Sequence, residues 1–411
     1  MLKLSRISRS IITVMYVALM CVILFFAINA GNVYSIKAWH VLIYVALLVF
    51  CVCFYQVLKR RLNDKIKYKS IIHIYRYVYL AVILIVSRVI MVFLLKDTTS
   101  IYLTGTDESI TSKILDLVIK ITGEQKYAAI VLNTIVVYLS SICIKRIMLN
   151  IFENDAVATT SSILYILSPV SLALCLEYSP SIFNGLFVLT GIWLVMKIYD
   201  QIVQYGLKDK LYIYLSVILG AVVVVDILFS GSLISWIILA LSITFVTDYI
   251  DSIYVDVSKM PILQKVFRLK KNEKLAIKKS IIVLGIICVF GTLALIIATI
   301  TGLNDGSIFV KENIIQGIYN MVGKIKWQYI IGSGVIILFE VMSIFMKRKS
   351  NAKVSFIQLG LIIFSIIAVL YTNTTYNLCI YDALLCMACI LSVGNIYYNR
   401  NEKVKLLKEK N

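Results

Sequence analysis

Residues 127–147 read YAAIVLNTIVVYLSSICIKRI. The run carries no charged residue before Lys145, and its length matches the ~20 residues that an α-helix needs to cross a hydrocarbon core roughly 30 Å thick. It reads as a membrane-spanning helix. Similar runs lie on both sides of it, near 10–30, 39–57, 71–95, 156–176, 181–199, 211–229, 232–249, 281–302, 328–346, 354–372 and 378–398.

Composition agrees with that pattern. Of 411 residues, 60% are hydrophobic and 15% are charged, and the mean hydropathy is +0.91, far from the balance of a soluble domain. The expected fold is an all-α, polytopic integral membrane protein of about 12 transmembrane helices, with interfacial amphipathic helices in its outer loops.

Basic loops are retained in the cytoplasm, so the positions of Lys and Arg set the orientation. The N-terminal segment with Lys3, Arg6 and Arg9, the runs KRRLNDKIKYK (59–69), KMPILQKVFRLKKNEKLAIKK (259–279) and KRKSNAK (347–353), and the tail RNEKVKLLKEKN are all basic. Counting spans puts every one of them on the same side. Both termini are therefore expected in the cytoplasm, in a multi-pass protein of a bacterial plasma membrane. The first apolar segment is expected to be retained, because no small-residue cleavage pattern follows it.

The formal net charge of +19 is explained by these topology signals and by contact with anionic headgroups. The basic runs contain no nucleic-acid-binding module and no interleaved aromatics, so membrane lipids are the expected partners and nucleic acid is not. Nine cysteines lie within or at the edges of spans, where Cys packs as a small hydrophobe. Two histidines, His40 and His73, leave no material for a multi-His metal site or a His-based dyad.

The chain divides into 1–70, two N-terminal helices and a basic inner loop; 71–249, a transmembrane core; 250–280, a basic cytoplasmic loop; and 281–411, C-terminal helices and a basic tail. Two outer loops, 96–126 and 303–327, carry amphipathic patterns. In the first, Ile110, Ile114, Leu117, Val118 and Ile121 form the apolar stripe, and Lys113, Asp116 and Lys120 take the other face. In the second, the stripe is Ile314, Ile318, Met321, Val322 and Ile325. Such helices are expected on the outer membrane surface.

Charged residues inside a membrane are costly and mark sites. Here they are Arg76, Arg88, Asp226 and Asp382, with Glu177 and Glu340 nearer span ends. Arg88 stands about two turns before the outer end of its helix, from where it is expected to snorkel toward the loop that holds Lys96, Asp97, Asp107 and Glu108. Cations beside carboxylates suit a substrate with a phosphate leaving group and a hydroxyl to be deprotonated. Asp107 also precedes an amphipathic helix and would cap it. Asp226 and Asp382 each lie about a turn from an outer end and would line one cavity if their helices are neighbours. In CLEYSPSIFNG (175–185), Glu177, Tyr178, Ser179 and Ser181 are delivered to the outer face in a tight hairpin, with Pro180 at a helix start and Pro169 available to bend the preceding span.

SRVIMVFLLKDTTSIYLTGTDE (87–108), the helix 127–147 and LSPVSLALCLEYSPSIFNGLFVL (167–189) together resemble the GT-C superfamily of multispanning glycosyltransferases. The likeness is to bacterial members related to protein O-mannosyltransferases and GPI mannosyltransferases. It covers roughly 87–195 and makes 71–249 a GT-C-like core.

The resemblance implies inverting transfer of a sugar from a polyprenyl-phosphate donor to a glycan or protein acceptor of the envelope at the outer face. Asp107, with Glu108 beside it, would be the catalytic carboxylate, acting as general base. Arg88 and Lys96 would hold the lipid phosphate. Glu177, Tyr178 and Ser179 would shape the sugar pocket, with Asp226 and Asp382 also on the substrate. No metal ligand is assigned, although Asp107 and Glu108 present oxygen ligands of the kind that Mg²⁺ or Mn²⁺ takes. The rival readings are a transporter or flippase for a lipid-linked saccharide, an envelope polysaccharide polymerase or ligase, and a noncatalytic scaffold derived from the same superfamily.

Overall fold

A computed structural model describes residues 49–58, 69–94, 110–168, 181–205 and 211–230, together with single positions or pairs at 46–47, 171–172, 285–300, 357–362 and 383–387. Within them every regular element is a helix: α1 Val49–Leu58, α2 Lys69–Leu94, α3 Ile110–Thr122, α4 Gln125–Phe152, α5 Asp155–Ile166, α6 Ser181–Tyr205 and α7 Leu211–Ser230. The expected spans near 10–30, 232–249 and 328–346, the loop 250–280 and the second amphipathic loop lie outside the described residues, and those near 281–302, 354–372 and 378–398 lie mostly outside them.

Two compact units emerge. One holds α1 to α5 and the first turn of α6; the other holds the rest of α6, α7 and the described positions between 285 and 300. In the first, α4 is the central element and packs against α5, α3 and α2. Its segment Tyr127–Phe152 is long and apolar enough to cross a membrane.

Which faces are buried follows from side-chain size. Ala128, Ala129, Ser140 and Ser141 of α4 are buried together with Leu132, Val136, Ile144 and Met148. Small residues let helix backbones approach and hydrogen-bond; the Ser162 hydroxyl of α5 donates to the Ser141 carbonyl at 2.8 Å. The outward faces are apolar as well. Ile74, Val78, Val82 and Ile85 on α2 and Val131, Ile135 and Leu139 on α4 are all exposed. Stripes of this size are unfavourable in water and suit a hydrocarbon solvent.

Local chemistry sets the turns. After α3, Gly123 takes φ +80° and its N–H reaches the Ile119 carbonyl at 2.8 Å, a left-handed helix stop that glycine adopts without strain. Between α4 and α5 there are two residues. Glu153 sits at φ 53°, and the Asn154 side chain accepts from the N–H groups of Ala156 at 2.8 Å and Val157 at 3.3 Å. Asn154→Ala removes this cap and is expected to cost about 1 kcal/mol, read as a lower thermal midpoint in detergent.

One sequence expectation changes. The span predicted over 156–176 stops at Ile166; helical backbone resumes at Ser171, where the Ser168 hydroxyl accepts from the Ser171 N–H at 3.0 Å. The chemical reason is in the sequence, since Pro169 has no N–H to donate to Tyr165. The side of α3 that packs inward is centred on buried Leu115, and Leu117 and Ile121 of the expected apolar stripe are 61% and 77% exposed, as a stripe turned away from the protein is. Gly123 turns the chain back so that α3 lies on α4, and that partner selects the face.

In the second unit, Tyr212, Ser216, Leu219, Val223 and Asp226 of α7 are buried, a three-four spacing that places them on one side of the helix. A Cβ at Gly220 would meet the Phe290 ring, so glycine is what permits this close approach.

Candidate functional site

Arg88 is the predicted site residue whose surroundings are described in most detail. It lies on the inward row of α2 after Leu80 and Leu84, and is 3% exposed. Its guanidinium turns into the helix bundle and donates to the Ser171 carbonyl through Nη1 and to the Ser171 hydroxyl through Nη2, the latter at 2.6 Å. The snorkelling expected of Arg88 is therefore not what is seen: the carbonyl and hydroxyl of Ser171, where helical backbone resumes, hold the side chain inward. A carbonyl and a hydroxyl together supply the directional partners that a desolvated guanidinium needs.

Beside Arg88, between α2 and α4, lies a cavity of about 350 Å³ lined by Ile85, Val89, Val92, Ile130, Thr134 and Arg88 itself. The Thr134 hydroxyl donates to the Ile130 carbonyl of its own helix at 2.7 Å. The cavity wall is thus hydrocarbon, including what Arg88 contributes to it, while the guanidinium is turned to Ser171, an arrangement suited to an apolar chain. Arg88→Met removes the clamp on Ser171 while keeping much of the volume. It is expected to lower stability by about 1.5–3 kcal/mol, as loss of a hydrogen bond to a charged group does, measured as a lower thermal midpoint in detergent.

Asp226 is fully buried on α7, a position set by the inward row that begins at Tyr212. It belongs to the second unit. Lys96, Asp107, Glu108, Glu177, Tyr178, Ser179 and Asp382 lie outside the described residues, as does any pairing of Asp226 with Asp382. Among the described residues no three His, Cys, Asp or Glu side chains come together as a metal site.

A second polar cluster was not visible in the sequence as a unit. Asp155, the first residue of α5, accepts from the Tyr55 hydroxyl at 2.8 Å and lies 3.1 Å from Arg76 Nη1 and 3.8 Å from Lys145 Nζ. Lys145 also sits 5.3 Å from the centre of the Tyr77 ring. Tyr55, Tyr75 and Tyr79 pack their rings together, with the centroids of Tyr55 and Tyr79 5.3 Å apart. Of these residues only Arg76 carries a sequence signal, as a charge inside an apolar run.

No family model matches the sequence, and no curated protein matches it. Solved structures do. The chain is similar to the crystal structure of the Archaeoglobus fulgidus oligosaccharyltransferase in its apo form, with a TM-score of 0.45 and 13% identity over 84% of this chain and 52% of that one. It is also similar to the archaeal oligosaccharyltransferase AglB from Archaeoglobus fulgidus in complex with an inhibitory peptide and a dolichol-phosphate, with a TM-score of 0.44 and 11% identity over 81% and 52% of the two chains. A crystal structure of the Archaeoglobus fulgidus enzyme with Zn and sulfate matches at a TM-score of 0.39 and 14% identity, over 72% of this chain and 41% of that one. This chain spans about half the length of the first two, and all three likenesses are distant.

Proposed function

We propose that the protein is a membrane glycosyltransferase that moves a mannose-like hexose from a polyprenyl-phosphate donor to a glycan or protein acceptor of the envelope. The reaction is assigned to the outer face of a bacterial plasma membrane, with both termini in the cytoplasm. The observation that supports the reading is the buried Arg88 guanidinium, held on Ser171 beside an apolar cavity. In this reading the hydrocarbon wall takes the polyprenyl chain, and Arg88 beside it is assigned to the lipid phosphate.

In this reading the acceptor hydroxyl attacks the anomeric carbon from the face opposite the phosphate. The bond from that carbon to the phosphate oxygen breaks, the lipid phosphate leaves, and the configuration inverts. Asp107 takes the hydroxyl proton, with Glu108 beside it. Arg88 and Lys96 balance the charge gathering on the leaving phosphate, an electrostatic role that grows toward the transition state. Glu177, Tyr178, Ser179, Asp226 and Asp382 are assigned to the sugar and its acceptor. The carboxylates Asp107 and Glu108 are where a Mg²⁺ or Mn²⁺ ion would bind if the reaction uses one.

The test is sugar transfer by purified protein in lipid vesicles, with a panel of radiolabelled polyprenyl-phosphate sugars and envelope acceptors. Transfer that requires the polyprenyl donor supports the assignment. Silence across the panel from folded protein that still retains the lipid favours a transporter or flippase for a lipid-linked saccharide, and silence without retention favours a noncatalytic scaffold.

A further inference from the structure

Helix α3 has more faces than its packing uses. Among its described side chains Leu115 alone is buried. Successive helical residues turn by about 100°, so Leu117 and Ile121 stand about 160° and 120° round from Leu115 on one side, and Lys113, Asp116 and Lys120 about 100–160° round on the other. Leu117 and Ile121 are among the more exposed large apolar side chains described, and the three charged ones are exposed as well. One face is packed on protein, one is apolar and bare, and one is charged and bare.

The start of α4 places these faces in depth. Only Gly123 and Glu124 separate the two helices. On α4, Tyr127, Val131, Ile135 and Leu139 are all exposed and form one outward row of apolar and aromatic side chains, suited to lipid. A 28-residue helix is about 42 Å long against a hydrocarbon core of roughly 30 Å, so that, centred, it extends about 6 Å past the core at each end. The boundary then falls within a turn of Tyr127, an aromatic of the kind that sits at headgroup level. The distribution of basic runs makes this the outer end. Helix α3 joins α4 just before that boundary, where the left-handed Gly123 and the packing of Leu115 set its orientation.

We propose that α3 is a membrane-surface helix that lays Leu117 and Ile121 into the outer leaflet and holds Lys113 and Lys120 at the depth of the phospholipid phosphates. The occupant of the bare face is phospholipid of the membrane that the chain crosses, with acyl chains under the apolar edge and phosphate oxygens beside the ammonium groups. Asp116 stands three residues after Lys113 and four before Lys120, so the charged face keeps a single net positive charge and accepts zwitterionic as well as anionic headgroups.

Asp107 and Glu108 precede Ile110 by three and two residues, within about 10 Å of chain. Under the proposed glycosyl transfer, a helix anchored in the headgroup layer keeps these carboxylates near the level of a lipid-linked phosphate. The membrane contact itself does not rest on that reading, and its readouts do not involve sugar transfer.

The test places tryptophan on each bare face, as Leu117→Trp, Ile121→Trp and Asp116→Trp, in purified protein in lipid nanodiscs. Emission is read as the difference from wild type, which has four tryptophans of its own. Tryptophan at 117 or 121 is expected to emit at shorter wavelength and to lose most of its added emission to phosphatidylcholine brominated on the upper acyl chain. At 116 the loss is expected with aqueous iodide instead. Should a variant fail to fold, wild-type protein is photolabelled by a phospholipid with a diazirine in its acyl chain, and mass spectrometry is expected to find adducts on Leu117 and Ile121 but not on Asp116. Quenching at 117 and 121 by iodide alone puts the face in water and overturns the proposal. Quenching by neither reagent, or wild-type α3 free of adducts, shows that protein covers the face, from this chain or a second copy, and overturns it as well.

Discussion

Asp155→Ala is expected to lower stability by about 3–5 kcal/mol, the range for removing one partner of a buried ion pair. Asp155 is 11% exposed in its side chain and faces Arg76 and Lys145, whose side chains are 20% and 4% exposed. Without the carboxylate, two cations face each other in a low-dielectric setting and the Tyr55 hydroxyl loses its acceptor. Tyr55→Phe removes one hydrogen bond to the same carboxylate and is expected to cost about 1.5–3 kcal/mol. Thermal unfolding in a single detergent orders the two variants. An Asp155→Ala midpoint equal to that of wild type would show that the cluster contributes nothing to stability.

Under the proposed glycosyl transfer, Asp107→Asn is expected to lower the rate by on the order of 10² to 10⁴-fold, the contribution of a positioned general base, with binding of the proposed donor little changed. The amide keeps the size of the side chain and an oxygen able to cap the helix that follows, so stability should hold within about 0.5 kcal/mol. That contrast separates the two roles the sequence allows at this position. Loss of transfer with an unchanged thermal midpoint assigns Asp107 to chemistry, and unchanged transfer returns it to capping.

The two experiments differ in what made their residues visible. Asp107 is legible in the sequence because it stands beside Glu108 in an expected outer loop that follows Arg88 and holds Lys96. Asp155 carries no such signal, because a carboxylate next to Asn154 at the start of a helix reads as ordinary turn chemistry. Its partners lie 79 residues upstream at Arg76 and 10 residues upstream at Lys145. No local periodicity joins positions at such separations. Arg88 stood out as a cation in an apolar run, but Ser171 is one serine among many, and only the helix restart behind Pro169 gives it a role.

The existence of four long helices was determined by the sequence alone, whereas their ends were not, and the span expected over 156–176 stops at Ile166. The expected spans 71–95, 127–147, 181–199 and 211–229 correspond to α2, α4, α6 and α7, because long apolar runs satisfy their backbone groups internally wherever they end up. Tertiary structure decided the facing of side chains and the meeting of distant ones. Leu115 rather than Leu117 packs inward on α3, Arg88 turns to Ser171 instead of to the loop, and Asp155 gathers Arg76, Lys145 and Tyr55. In a chain apolar on every side, hydrophobicity does not distinguish the face toward lipid from the face toward protein. Small-residue packing and buried hydrogen bonds make that distinction, and they exist only once the helices are side by side.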